Sequence, residues 1–178
     1  MGRWDKIFSD IKVFRNHPDR VLGDRISINM VRPWMENYAK RVIQICHNRG
    51  AIAMGGMSAF TPGHSKELRL EQESKVREDK LREAAWGHDG CWVSHPYFIG
   101  MAMSCFPNKN QLTQTLPGFD KYSDILPLGN GPYTMSGLIT NVRVGIVYLH
   151  GWNQDIGCVS FDNLMEDLAT LEISRAQI

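Results

Sequence analysis

The chain has 178 residues, of which 43% are hydrophobic and 22% charged, and its formal net charge is +1. That length supports a sizeable core, and the near-neutral balance excludes a global electrostatic case for nucleic acid or a membrane surface as partner. No apolar run approaches the roughly 20 residues of a spanning helix.

Met1-Gly2-Arg3-Trp4-Asp5 lacks the basic-then-apolar pattern of a signal peptide. Lys6 stands where a myristoylation motif needs Ser or Thr. The four cysteines, Cys46, Cys91, Cys105 and Cys158, form no Cys-x-x-Cys pair, and the six histidines make no His-x-x-x-His pair. This speaks against structural zinc and for a reduced, intracellular chain.

In chain order, Ile7, Phe8, Ile11, Val13 and Phe14 fit a short helix or irregular segment with one buried side, and Asn16-His-Pro-Asp19 reads as a turn. Pro33 opens a strong helix in which Trp34, Tyr38, Val42 and Ile45 recur at helical spacing. Arg49 and Gly50 close it. Ala51-Ile-Ala-Met54 is wholly apolar and predicts a strand buried on both faces, as in parallel sheets. Gly55 and Gly56 then fall at its C-terminal end, as a turn or a place of close backbone approach. Lys66 to Arg82 is dense in charge and reads mostly as a solvated helix face. Gly87-His-Asp-Gly90 reads as a turn, and Cys91-Trp-Val-Ser94 as a second short strand. Helix, strand, helix, strand is the α/β rhythm.

From Pro107 to Pro132 periodicity gives way to Pro, Asn, Gly and Asp, which predicts an irregular connection with room for a short helix near Asn110–Thr113. Ser136 is a candidate N-cap for a helix whose apolar face is Leu138, Val142, Gly145, Leu149 and Trp152, with Ile139 and Ile146 beside it. Asp155-Ile-Gly157 breaks that helix. A last helix is expected with Asn163 as N-cap and Glu166 completing a capping box, Leu164, Leu168 and Leu171 on one face. Two adjacent carboxylates, Glu166 and Asp167, would lie in its first turn. By local rules they are dipole-favoured capping acids; the sharper reading makes Asp167 a positioned general base.

Four separated segments resemble one family, malate synthase. They are Gly2-Arg-Trp-Asp5, Ala51-Ile-Ala-Met-Gly-Gly-Met57, Gly87-His-Asp-Gly-Cys-Trp-Val-Ser-His-Pro96, and Gly157-Cys158 with Leu164-Met-Glu-Asp-Leu-Ala-Thr170 and Glu172-Ile-Ser-Arg175. Each alone is weak; in the family's order along the whole chain they are strong. The resemblance implies an α/β fold: a partial TIM barrel followed by a helical C-terminal plug. The corresponding division is residues 1–106 as barrel, 107–135 as irregular linker and 136–178 as incomplete plug. It also implies condensation of acetyl-CoA with glyoxylate to malate and CoA, with Mg²⁺ as cofactor.

On the same resemblance Asp167 is the base that takes a methyl proton, and Asp5 is one metal ligand. Backbone N–H groups around Trp4 and Asp5 hold the glyoxylate carboxylate, with Gly2 allowing close approach, and Pro96 and Met165 lie near the CoA end. Read alone, Asp5 is an ordinary turn acid, Pro96 and Met165 are packing residues, and Cys158, beside the base in the family, is expected to pack as an inert thiol. The family's second metal ligand, a Glu, and its enolate-stabilising Arg lie upstream of Gly-Arg-Trp-Asp, so this chain is expected to lack them and to be inactive alone. A partial barrel also leaves open strand edges that invite pairing. Two other readings stay open: a non-catalytic remnant that associates with the upstream barrel portion or an intact subunit, and a related CoA-thioester lyase. The C-terminal Ala176-Gln-Ile178 is not a Ser-Lys-Leu-type peroxisomal signal.

Overall fold

A computed structural model describes residues 1–119, 124–127, 129 and 131–178. Part of the expected connection over 107–135 therefore lies outside the described residues. The chain divides into two compact units, one of Met1 with Met35–Ile125 and one of Gly2–Trp34 with Leu126–Ile178. Among the described residues no helix is long and apolar enough to cross a membrane.

The first unit is built on a parallel strand pair, β1 (Met54–Ser58) and β2 (Gly90–Val93). Between them in sequence runs a long helix, here α3 (Lys66–Trp86), α1 and α2 being Arg3–Val13 and Pro33–His47. A strand, a helix and a second strand parallel to the first make the repeating unit of an α/β barrel, and the fold class is α/β, a partial TIM barrel with a helical C-terminal segment. α2 begins at Pro33 as expected, and Gly50 with φ +66° turns the chain away beyond its end.

The first strand lies later than the hydropathy suggested. Ala51–Ala53 are not strand, and Gly55 and Gly56 sit inside β1 instead of ending it. The cause is α3, whose inner face is Gln72, Val76, Asp79, Lys80 and Glu83. A Cβ on Gly55 would lie 2.2 Å from a Glu83 oxygen, while Gly56 N–H donates to Glu83 Oε1 at 2.8 Å and Lys80 Nζ donates to Gly56 O. Lys80 also pairs with Glu83 at 3.0 Å, and both are fully buried. Gly55 thus makes room for a buried ion pair that docks helix to strand, and the Gly56 backbone bonds to it. The charged stretch is not simply a solvated face.

Ser65 caps α3 at its start, accepting from Leu68 N–H at 3.1 Å, and Gly87 ends it in the left-handed region with φ +111°. A helix absent from the sequence reading, α4 (Ile99–Cys105), follows a 3₁₀ turn at Pro96–Phe98. Phe98, Met101 and Cys105 pack with Val76 into a core cluster. It was missed because Ile99-Gly-Met-Ala-Met-Ser-Cys105 is short and carries neither cap nor charge. The suggested helix near Asn110–Thr113 is only a turn.

The second unit packs α1 and α5 (Met135–Trp152) against α6 (Leu168–Gln177). Thr134, not Ser136, is the N-cap of α5, accepting from Gly137 N–H at 3.0 Å. Asp24 binds Thr134 through its amide at 3.2 Å and its hydroxyl at 2.6 Å, which places a carboxylate at the positive end of the helix. The buried face of α5 is Gly137, Asn141, Val144, Tyr148 and Gly151. The apolar face read from the sequence points outward instead, with Leu138, Ile139, Val142, Ile146, Leu149 and Trp152 37–65% exposed. Close approach selects the inner face: a Cβ on Gly137 would meet Asp24 Oδ1 at 2.2 Å, and one on Gly151 would meet Val159 Cγ1 at 2.6 Å.

The expected helix start at Asn163 is also corrected. Val159–Phe161 (β3) and Leu164–Glu166 (β4) form an antiparallel hairpin, joined by Asp162 and Asn163 at φ +48° and +60°. Two consecutive positive φ values are those of a type I′ turn, for which Asp and Asn are well suited. Asn163 is therefore a turn residue, Glu166 is the last strand residue, and α6 begins only at Leu168.

Candidate active site

Asp167 is itself the N-cap of α6, at the junction of β4 and the helix. Its Oδ1 accepts from Thr170 N–H at 3.1 Å, and the Thr170 hydroxyl bonds back to the Asp167 main chain, with its oxygen 2.9 Å from the Asp167 amide. This is a capping box, displaced four residues from the one expected and built from different residues. Oδ2 has no hydrogen-bond partner among the described residues. A half-buried carboxylate with one oxygen fixed and the other free is a geometry suited to proton abstraction.

Gly2 is the N-cap of α1, with no side-chain cap bond, and Lys6 N–H is the first to close an intrahelical bond, to Gly2 O. The N–H groups of Trp4 and Asp5 precede that bond and have no acceptor within the helix, and an eleven-residue helix adds its positive end. Gly2 has an ordinary φ of −91°, so what it supplies is space: a Cβ there would lie 2.4 Å from Asp5 Oδ2. The exposed Asp5 carboxylate consequently folds back over the glycine. Trp4, one position earlier, lies under the Arg25 guanidinium, 5.6 Å from its ring centroid.

Arg25, which the sequence did not single out, links these parts. It is 7% exposed, and its Nη2 donates to both Glu166 oxygens, at 2.7 and 2.8 Å. Its Nη1 donates to Ser174 Oγ at 3.1 Å. Tyr148 was missed too, because it lies on the face of α5 that looked polar. Its hydroxyl donates to Gly157 O at 3.1 Å, holding the loop before Cys158. Burial pushes its phenol up from the ordinary value, and the negative charges of Asp167 and Cys158 add to the shift. Cys158 itself is exposed, against the expectation that it packs. Met165, in β4, is half-buried.

Gly2, Trp4, Asp5, Met165 and Asp167 thus belong to one unit, and Pro96 belongs to the other. Pro96 is exposed just after the C-terminal end of β2, the end of the strands at which barrel sites are built. Among the described residues no group of three or more His, Cys, Asp or Glu is placed to hold a metal ion. A 560 Å³ cavity in the second unit is lined by residues such as Phe14, Leu22, Tyr133, Leu138 and Gln177, and none of the site residues borders it.

The Gly-His-Asp-Gly segment serves structure. Asp89 Oδ2 accepts from Ala53 N–H at 2.6 Å and lies 3.0 Å from His47 Nε2, and Oδ1 accepts from Gln111 N–H at 2.5 Å. Burial alone would raise its carboxyl, but the amides of Gln111 and Ala53 and the His47 ring outweigh that and hold it below the ordinary value. His88, buried, sits 3.1 Å from Ala53 O through Nδ1. Asp89 and His88 thus join the start of β2 to the residue before β1.

Residues 1–124 match the family described as malate synthase, TIM barrel domain, and residues 132–178 match malate synthase, C-terminal. Among curated proteins the chain is similar to a malate synthase of Dictyostelium discoideum, 44% identical over 99% of this chain and 35% of that protein. It is also similar to malate synthase A of Escherichia coli, 43% identical over 99% of this chain and 34% of that protein. A bifunctional glyoxylate cycle protein of Caenorhabditis elegans is 44% identical over 99% of this chain and 19% of its own length. The chain spans about a third of the length of the first two relatives. With both family domains matched in order across nearly all of its residues, the chain belongs to the malate synthase family.

Proposed function

We propose that the chain carries the base and the glyoxylate-binding part of a malate synthase-type site, for condensation of acetyl-CoA with glyoxylate to malate and CoA. The observation that carries this reading is Arg25, which touches both Trp4 of the N-terminal motif and Glu166, the neighbour of Asp167. Two segments from opposite ends of the chain are thereby tied to one side chain within one unit.

Asp167 Oδ2 takes the proton from the acetyl methyl group, while Oδ1 stays anchored by Thr170. The N–H groups of Trp4 and Asp5 in the first turn of α1 hold the glyoxylate carboxylate beside Gly2. Asp5 supplies one oxygen ligand for Mg²⁺, whose preference for one or two carboxylates beside water and substrate fits a single exposed carboxylate. The metal, when bound, supplies Lewis-acid polarisation of the aldehyde oxygen. Met165 serves the CoA end.

A second carboxylate ligand and a cation for the enolate oxygen are still needed, each corresponding to about 3–4 kcal/mol of transition-state stabilisation by analogy with oxyanion donors. The chain alone is therefore expected to release no measurable CoA from acetyl-CoA, glyoxylate and Mg²⁺. Supplying the N-terminal two-thirds of a relative as a separate polypeptide should restore turnover, and Asp167→Asn in this chain should then reduce it by at least about 10²-fold. Full activity in reconstituted Asp167→Asn would refute the assignment. Turnover by the chain alone, abolished by Asp167→Asn, would refute its dependence on upstream groups.

The outward apolar face of α5 favours a second reading, in which the chain acts only by associating with an upstream barrel portion or an intact subunit. Stable co-purification without restored turnover would select it.

A further inference from the structure

Arg25, Glu166 and Ser174 form a buried polar cluster that Asp167 neighbours without joining. Glu166 is 1% exposed and Ser174 fully buried. The partners come from three places: a 3₁₀ turn at Arg25–Ser27, the last residue of β4, and the second turn of α6. Arg25 holds the residue immediately before Asp167 with one nitrogen and a residue two turns beyond it with the other. Its guanidinium is packed over Trp4 on the remaining side.

A buried ion pair is an inefficient way to gain stability, because desolvation of both charges offsets most of their attraction. Its value is geometric: a charged nitrogen contacting both carboxylate oxygens fixes Glu166, and Ser174 fixes the helix that follows. Between two pinned points the backbone at Asp167 has little freedom, and the direction of its carboxylate is set.

We infer that Arg25 and Glu166 are positioning residues that clamp the β4–α6 junction and so aim the Asp167 carboxylate; calling that carboxylate a catalytic base rests on the function proposed above. The clamp also ties the aim of Asp167 to Trp4 at the start of α1, so the base and the N-terminal motif are positioned by the same guanidinium.

The test needs no turnover. In the full chain, the Thr170 amide donates to Asp167 Oδ1, and its proton resonance and hydrogen-exchange rate report that bond. Glu166→Gln and Arg25→Lys should speed exchange at Thr170 by about tenfold or more and move its resonance, while amides of the first unit's core, such as Ile43 and Val76, keep their wild-type rates. The charge-reversed pair Arg25→Glu with Glu166→Arg should recover part of the effect. If those single variants fail to fold, Ser174→Ala, which removes one arm only, should shift Thr170 in the same direction by a smaller amount. Wild-type Thr170 exchange, within twofold, in folded Glu166→Gln and Arg25→Lys overturns the inference. So does an unaltered Thr170 in Ser174→Ala when the single variants do not fold, or a uniform acceleration of all core amides. Loss of the catalytic reading through an active reconstituted Asp167→Asn would leave the Thr170 result unchanged, so the two failures are distinguishable.

Discussion

Asp89 shows how a carboxylate in a family motif can be wholly occupied by folding. Both oxygens are taken by backbone amides and the His47 ring, and the ion is favoured over the acid despite burial. A carboxyl lowered in the folded state stabilises the protein above its unfolded value, here 3.8, and that contribution is lost as pH falls through the folded value. Asp89→Asn should therefore cost about 1–3 kcal/mol at neutral pH and flatten the acid limb of stability below about pH 4, as chemical denaturation across pH will show. The thiols divide just as sharply. Burial pushes Cys91 up to about 11, whereas Cys158 stands exposed at the end of the loop held by Tyr148. A thiol reagent at pH 8 should consume Cys158 in its fast phase, leave Cys91 and buried Cys105 until the chain unfolds, and lose one equivalent of that phase in Cys158→Ser. The catalytic candidates were legible in part. Asp167 and Asp5 stood out through their motifs, but Arg25 and Tyr148 had no local signal. One is a lone arginine after an irregular segment, and the other lies among glycines on a helix face that reads as polar.

Elements were easiest to read where hydrophobic period and punctuation agreed, as in α2, which runs from Pro33 to the turn before Gly50. They were misplaced where close approach outweighed hydropathy. Ala51–Met54 looked like the strand because it is apolar, yet β1 takes up the glycines that only the buried Lys80–Glu83 pair explains. At the other end, Asn163 suits a helix cap by residue type, but positive φ at both Asp162 and Asn163 makes the pair a hairpin turn. The shift moves Asp167 from the first turn of a helix to its cap, which fixes Oδ1 on the Thr170 amide and leaves Oδ2 without a partner among the described residues. Gly55→Ala tests the docking of α3 directly. With a Glu83 carboxylate oxygen 2.2 Å from the new methyl, a loss of about 2–3 kcal/mol in urea unfolding is expected. A Gly145→Ala control, with open space around it, should be close to neutral or stabilising by a few tenths.

For the whole molecule, the division into units crosses the order of the chain. Gly2–Trp34 joins the C-terminal segment, whereas the β1–α3–β2 piece stands with α2 and α4. Sequence pattern follows the chain order and has no access to such regrouping, so it read the fold class but not which segments share a unit. α5 leaves apolar surface uncovered, where Met135, Leu138, Val142, Ile146, Leu149 and Trp152 repeat at three- and four-residue intervals with Ile139 beside them. An apolar reporter dye should bind the purified chain, and Ile146→Glu with Leu149→Lys should abolish most of its fluorescence without lowering helix content. β1 and β2 pair with each other alone among the described residues, so each retains an unpaired edge.

The outward face of α5 has a consequence for how long such a polypeptide lasts. Chaperones and proteases recognise exposed apolar helix as a mark of incomplete assembly, and triage depends on how much of the population displays it. Here the display belongs to the folded form, so tighter folding of the unit would not conceal it. A copy with that face uncovered is then expected to turn over in a cell faster than its unfolding free energy alone would predict.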